Sequence, residues 1–148
     1  MLKKLASLSF LILFMGCKNT PTHPIETLTL EQVQNQINPS ETQKILFTLA
    51  SDSMMGRDSQ SGGYFKAAEF VTDYFQANNI TPFYPDYQDT LSTKGVKTYN
   101  LVGQIGTYDP QKKTILICAH LDHVGIRGSE GDTIYNGAND NATGSTAV

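Results

Sequence analysis

The chain has 148 residues, of which 39% are hydrophobic and 9% aromatic, which is enough for about one globular domain. Its formal net charge of −3 becomes −5 if Lys3 and Lys4 are removed with an N-terminal leader, and this acidic balance argues against nucleic acid as a partner. The two cysteines, Cys17 and Cys118, lie beside the leader and in an apolar stretch. We therefore expect no disulfide framework.

Residues 1–17 have the pattern of a secretory signal, with two lysines, an apolar run over residues 5–15 and Gly16 directly before Cys17. The apolar run is too short to span a bilayer core of about 30 Å as a helix. Residues 14–17 are similar to a bacterial lipobox with Phe14 in place of the usual leucine, which would make Cys17 the lipidated first residue of the mature chain. A plain signal peptide with an incidental cysteine is the alternative.

The sequence is predicted to divide into three segments. Residues 1–17 are predicted to be a lipoprotein signal peptide, and residues 18–28, rich in Thr and Pro, a polar tether. Residues 29–148 are predicted to be the N-terminal part of a single domain. The mature protein is then expected in the bacterial cell envelope, exported and attached to a membrane through its N-terminal lipid.

Three helices are predicted at the start of this domain. Two begin with capping boxes, in which a hydroxyl side chain is followed three positions later by glutamine: Thr29 with Gln32, and Ser40 with Gln43. They should end near Ile37 and Ala50. From Tyr64 the apolar residues recur at helical spacing, which predicts a third helix ending near Asn78 with Tyr74 and Phe75 in the core. The polar loop over residues 51–63 carries Arg57 and Asp58 in a setting that indicates more than a spacer.

Strands are predicted in the second half of the domain. Residues 99–106 alternate in polarity, residues 107–110 are rich in turn formers, and residues 114–119 are apolar apart from the first. This pattern predicts a hairpin whose second strand is central and covered by helices on both faces. Cys118 would then be a small buried hydrophobe. Residues 80–97 are interpreted as a loop or an irregular edge strand.

A histidine and a carboxylate follow the predicted central strand. Residues two apart in a strand share a face, so His120 and Asp122 should point together and His123 away. We interpret His120 as a zinc ligand and Asp122 as the carboxylate that orients its ring. His123 is expected in a loop or behind the ligands. Taken alone, a single histidine beside a carboxylate is more often structural than catalytic.

Two segments around this site resemble a known family. Residues 119–125 (AHLDHVG) and 136–144 (NGANDNATG) are similar to the first two metal motifs of the co-catalytic di-zinc exopeptidases, peptidase family M28. Residues 51–57 and 67–70 resemble the segments that precede those motifs in bacterial members. The resemblance implies an α/β three-layer sandwich with a mixed central sheet, two zinc ions and a peptide substrate. It favours an aminopeptidase that uses metal-activated water.

The resemblance also implies roles for individual residues. His120 would bind one zinc, Asp140 would bridge both ions, and Asp122 would support His120. This agrees with the chemistry, because a carboxylate can bridge two cations about 3.5–4 Å apart. A cis peptide bond after Asp140 is implied as well. Asn141 or Asp140 could also cap the helix that begins at residue 142.

The family uses further residues that have no match in this sequence: a Glu-Glu pair that supplies the general base and a ligand, another acidic ligand and a final histidine. We therefore expect a domain truncated after the second metal motif, which exposes an apolar face, binds zinc poorly and does not hydrolyse peptides by itself. The alternatives are a non-catalytic, lipid-anchored ectodomain or a remnant. Side-chain preference, aminopeptidase against carboxypeptidase action, and oligomeric state stay open.

Overall fold

The computed structural model describes residues 28–93 and 96–148. The predicted signal peptide, the lipidation of Cys17 and the tether up to residue 27 lie outside the described residues and stay predictions. Within the described ranges, no helix combines the length and the apolar character that crossing a bilayer requires.

The first two helices begin differently. Helix α1 (Leu30–Gln34) has the predicted capping box: the Thr29 side chain accepts from the Gln32 amide, and the Gln32 side chain accepts from the Thr29 amide. Helix α2 (Pro39–Leu49) begins earlier than predicted, and its cap is Asn38, whose Oδ1 accepts from the amides of Ser40 and Glu41 at 3.1 and 3.3 Å. The prediction of Ser40 as the cap was wrong, because Pro39 has no amide hydrogen and fits the first helical position.

We expect Asn38→Ala to destabilise the fold by about 1 kcal/mol, because it leaves two amides of the first turn without a partner. Ser40→Ala is the control, since Ser40 lies inside the first turn rather than at the cap. Chemical denaturation of both variants measures the difference. Equal losses for the two variants would contradict this assignment of the cap.

Helix α3 (Gly62–Ala77) confirms the predicted third helix, with Ser61 as its N-cap. Its buried face carries Gly63, Tyr64, Ala67 and Ala68. Ala67 joins Leu49 of α2, together with Met54 and Ala142, in the main buried cluster. Tyr74 and Phe75 are only half-buried, so their predicted place in the core was wrong, although the Phe75 ring packs against Tyr87 with centroids 5.6 Å apart.

In residues 28–93 and 96–148 the strands form three small antiparallel pairs. Strand β1 (Thr81–Pro82) pairs with β4 (Gly103–Gln104), β2 (Gln88–Thr93) with β3 (Val96–Leu101), and β5 (Gly125–Ile126) with β6 (Ile134–Tyr135). The paired strands β2 and β3 therefore cover residues that the sequence assigned to a loop or an irregular edge strand (80–97) and the start of the strand predicted at 99–106. Helices with small sheets are compatible with the α/β class. The three-layer sandwich stays a prediction.

The predicted central strand is not part of a sheet in the described chain. Residues 114–119 are assigned to no strand, and Ile115, Leu116 and Ile117 are 87%, 80% and 69% exposed. Cys118 is also exposed, so the prediction of a buried cysteine was wrong. Alternating polarity correctly predicted a strand near residue 99. This strand pairs with β2, with Tyr99 opposite Thr90, and not with residues 114–119 as predicted.

A cavity with largely apolar walls lies beside this segment. The cavity, of about 800 Å³, separates residues 116–122 from α2, α3 and β3. Its walls include Leu49, Val71 and Leu101. Helix α4 (Thr143–Ala147), preceded by an irregular turn at Ala138–Ala142, contributes Ser145, Thr146 and Ala147 to the cavity wall.

Candidate metal centre

The two predicted ligands are brought together. His120 stands at the end of the extended segment, and Asp140 lies in the irregular turn that precedes α4. The Nε2 atom of His120 lies 3.1 Å from Oδ1 of Asp140, and both side chains are more than half exposed. Residues twenty positions apart therefore meet at one solvent-accessible point.

The other ring nitrogen of His120 faces Asp122. Nδ1 lies 3.0 Å from the main-chain oxygen of Asp122 and 3.6 Å from its carboxylate Oδ1. Because a carbonyl oxygen can only accept, Nδ1 must carry the hydrogen, which leaves the lone pair of a neutral ring on Nε2. The hydrogen bond that selects this tautomer is therefore to the backbone of Asp122. The orienting role predicted for its carboxylate stays a prediction.

Two side chains, one in α4 and one in the turn before it, donate to the main-chain oxygen of His120. Ser145 Oγ donates to the His120 carbonyl at 3.0 Å, and Asn141 Nδ2 donates to the same oxygen at 3.5 Å. Asn141 Oδ1 accepts from the Gly144 amide at 3.2 Å, although the N-cap residue of α4 is Ala142 and not the predicted Asn141 or Asp140. The Asp140–Asn141 peptide bond is cis, as the resemblance implied.

His123 lies closer to the site than its sequence position indicated. Its ring is 12% exposed, and Nδ1 lies 3.6 Å from Oδ2 of Asp140. The ring packs against Gly137, where a Cβ atom would approach His123 Cδ2 to 2.5 Å. The strand argument placed this ring on the opposite side, but residues 120–123 are not in a strand. His123 therefore lies behind Asp140, which is one of the two places predicted for it.

Arg57 connects the segments that carry the ligands. Its side chain is fully buried and donates only to main-chain carbonyls: Nε to Leu121 at 2.8 Å, one terminal nitrogen to Leu49 and, at 2.7 Å, to Asn136, and the other to Gly137 at 3.0 Å. Its own carbonyl accepts from the His123 amide at 3.0 Å. The sequence singled out Arg57, but it gave no indication of these partners.

Burial and nearby charge have opposite effects on the pKa of Arg57. Removal from water lowers the pKa of the Arg57 guanidinium, while the carboxylates of Asp122 and Asp140 raise it. The buried cation is thus compensated by two anionic residues of the site and by four carbonyl dipoles. A buried charge with this many partners is costly to replace.

A second contact holds the loop after His123. Gly56 has a φ of +66°, and a Cβ atom there would lie 2.4 Å from the carbonyl oxygen of Gly125. Arg127 follows in the same loop and donates to Asp58 Oδ2 at 3.2 Å. This bond and the bond from the Gln60 amide hold the pKa of Asp58 below its usual value, with the amide contributing most. The turn at residues 52–57 therefore packs directly on the candidate site's outer loop.

Comparison with known proteins now adds to this geometry. Residues 100–148 match the model of Peptidase family M28. The match supports membership of that family. Neither the comparison with curated proteins nor that with solved structures gives a match. The matched residues contain His120, Asp122 and Asp140, whereas Arg57 lies outside them.

Family M28 consists of peptidases that are typically zinc-dependent, and the imidazole of His120 and the carboxylate of Asp140 are donor types that zinc accepts. Zinc bonds of about 2.0–2.2 Å to nitrogen and oxygen, at a tetrahedral angle, separate the two donor atoms by about 3.3 Å. The observed 3.1 Å between His120 Nε2 and Asp140 Oδ1 is close to that separation. In the described ranges, however, no group of three or more His, Cys, Asp or Glu residues could hold a metal ion.

Proposed function

We propose that His120 and Asp140 are zinc ligands of a metallo-aminopeptidase. One observation carries the proposal: Nδ1 is bonded to the Asp122 carbonyl, so Nε2 is the ring atom that faces the Asp140 carboxylate, 3.1 Å away. A cation shared by the two atoms, either a proton on Nε2 or a metal ion, makes this approach favourable. A zinc ion satisfies both atoms, and the family of residues 100–148 supports that choice.

The residues of this chain would have distinct tasks. His120 would bind zinc through Nε2, with its ring held by the Asp122 carbonyl. Asp140 directs Oδ1 to His120 and Oδ2 to His123, which supports its proposed role as the carboxylate shared by two ions. When bound, zinc lowers the pKa of water and polarises the substrate carbonyl. The carboxylate of Asp122, 3.6 Å from Nδ1, would favour a ring that gives electron density to the metal.

We also propose that the described residues do not complete the centre. A catalytic zinc normally has three protein ligands, and two are too few for tight binding. The general base and the remaining ligands would come from other residues of the natural protein. If they do not, the protein would be a non-catalytic ectodomain that keeps the peptidase-like loops.

Substrate and location are further parts of the proposal. We infer a peptide with a free N-terminal amino group as the substrate, on the strength of the family resemblance alone. The sequence of residues 1–17 supports export and a lipid anchor at Cys17, which would place the site on the outer side of a bacterial membrane.

The proposal is tested with the complete product of the gene, purified and assayed on aminoacyl p-nitroanilides. We expect hydrolysis that a chelator abolishes and added zinc restores, with no cleavage of N-acetylated substrates. Dipeptides blocked at either end provide the control for direction, since cleavage that requires a free carboxylate would instead identify a carboxypeptidase. Hydrolysis that continues in the chelator would refute the zinc mechanism. Zinc binding without hydrolysis of any of these substrates would favour the non-catalytic ectodomain.

A further inference from the structure

Arg57 lies outside the residues that match family M28, yet it joins both segments that carry the proposed ligands. It is the only charged residue that is fully buried in the described part of the chain. One of its bonds goes to Leu121, the residue next to His120. Two others go to Asn136 and Gly137, which precede Asp140 by four and three positions.

The shape of the guanidinium matters for this arrangement. Its donors lie in one plane at fixed angles, so Nε and the two terminal nitrogens hold the carbonyls of Leu121, Asn136 and Gly137 at set separations. A lysine has the same charge but presents its hydrogens from a single nitrogen. It could not satisfy carbonyls from both segments with the same geometry.

The backbone of Arg57 adds a further constraint. Its carbonyl accepts from the His123 amide, and the His123 ring in turn packs on Gly137 and lies 3.6 Å from Asp140 Oδ2. Both the side chain and the main chain of Arg57 therefore hold the two ligand segments. The contacts run between loops that make no common sheet, so they act together with the bonds from Ser145 and Asn141 to the His120 carbonyl to fix the separation of His120 from Asp140.

We propose that Arg57 is a positioning residue of the metal centre, which helps to set the distance between His120 and Asp140 through its bonds to the main chain of both ligand segments. The inference rests on the proposed zinc site. Loss of a residue that orients metal ligands typically lowers metal affinity about 10–100-fold. We expect a loss in this range for Arg57→Lys, because the positive charge remains while the fork of donors is gone.

The test measures zinc affinity and the visible absorption of the cobalt-substituted protein, using the complete gene product. Arg57→Lys is compared with Arg127→Gln, which removes an exposed arginine of the same region that donates to Asp58 and to its own neighbour Ile126. Affinity is expressed per folded molecule, with circular dichroism giving the folded fraction. We expect weaker zinc binding and an altered cobalt spectrum for Arg57→Lys alone. A variant with Arg57→Ala should regain part of the affinity when guanidinium at low concentration fills the cavity.

The outcomes separate the two proposals. If the wild-type protein binds no zinc, the proposed function fails before Arg57 is considered. If the wild type binds zinc and a folded Arg57→Lys protein has the same affinity and cobalt spectrum, the positioning role is refuted while the zinc site stands. Failure of the Arg57 variants to fold, with or without zinc, would equally overturn the inference, because Arg57 would then serve the fold as a whole.

Discussion

Replacement of Gly56 by alanine is expected to destabilise the fold by about 3 kcal/mol. The residue has a φ of +66°, a left-handed conformation that costs an L-residue with a Cβ atom about 1–2 kcal/mol. The new methyl group would also lie 2.4 Å from the Gly125 carbonyl oxygen, a backbone atom that cannot turn aside. Such overpacking adds about 1–3 kcal/mol.

Gly106→Ala provides a matched control for this effect. Gly106 also has a positive φ, +80°, but a Cβ atom there would meet nothing within 4 Å. We therefore expect only the conformational cost, about 1 kcal/mol. Chemical denaturation of both variants gives the two values, provided that the slopes are equal. Similar losses at the two positions would show that the turn at residues 52–57 does not pack tightly on the loop at Gly125.

Local chemistry predicted the helices better than the sheets. Thr29 and Gln32 lie within one turn of each other, so their pattern alone was sufficient to predict a capping box. The same pattern at Ser40 was misleading because Asn38 and Pro39 together offered a better helix start two residues earlier. Helix ends depend on a few neighbouring residues. Which of two candidate residues caps a helix therefore depends on local details that a spacing pattern does not include.

Strand partners depend on distant residues. The apolar run at residues 115–119 indicated burial, but apolar character does not specify which strand or helix provides the cover. In the described chain Leu101 pairs with Gln88, and Ile115 remains exposed. Alternation in residues 99–106 similarly reported which face a side chain occupies without identifying the partner strand.

The candidate site was predicted in part. His120 was selected by its position after the apolar run, Asp140 was assigned its bridging role by resemblance, and the structure brings the two within 3.1 Å. The partners of Arg57 could not be predicted, because it donates to backbone carbonyls and every residue has one. The same holds for the hydrogen bond from His120 to the Asp122 carbonyl, where the sequence pointed to the carboxylate instead.

Loss of either proposed ligand is expected to have the largest effect on zinc binding. Complete zinc sites reach apparent binding energies of about 10–16 kcal/mol, or about 3 kcal/mol per ligand, so His120→Ala should lower the affinity about 100-fold or more. Asp140→Asn keeps the size of the side chain but removes its negative charge, and should cause a similar loss. Isothermal titration of the complete gene product with zinc measures both changes.

Asp132→Asn is the control for these ligand variants. Asp132 is exposed in the loop between β5 and β6, and its Oδ1 accepts from the Ile134 amide at 3.2 Å, a bond that asparagine can preserve. Its zinc affinity should equal that of the wild type. Zinc should also raise the unfolding temperature of the wild type and the control, since an ion bound only to the folded state adds about 2.7 kcal/mol at a concentration of 100 times Kd. If His120→Ala and Asp140→Asn keep this zinc-dependent rise, then the ion binds elsewhere and the pair at 3.1 Å is not its site.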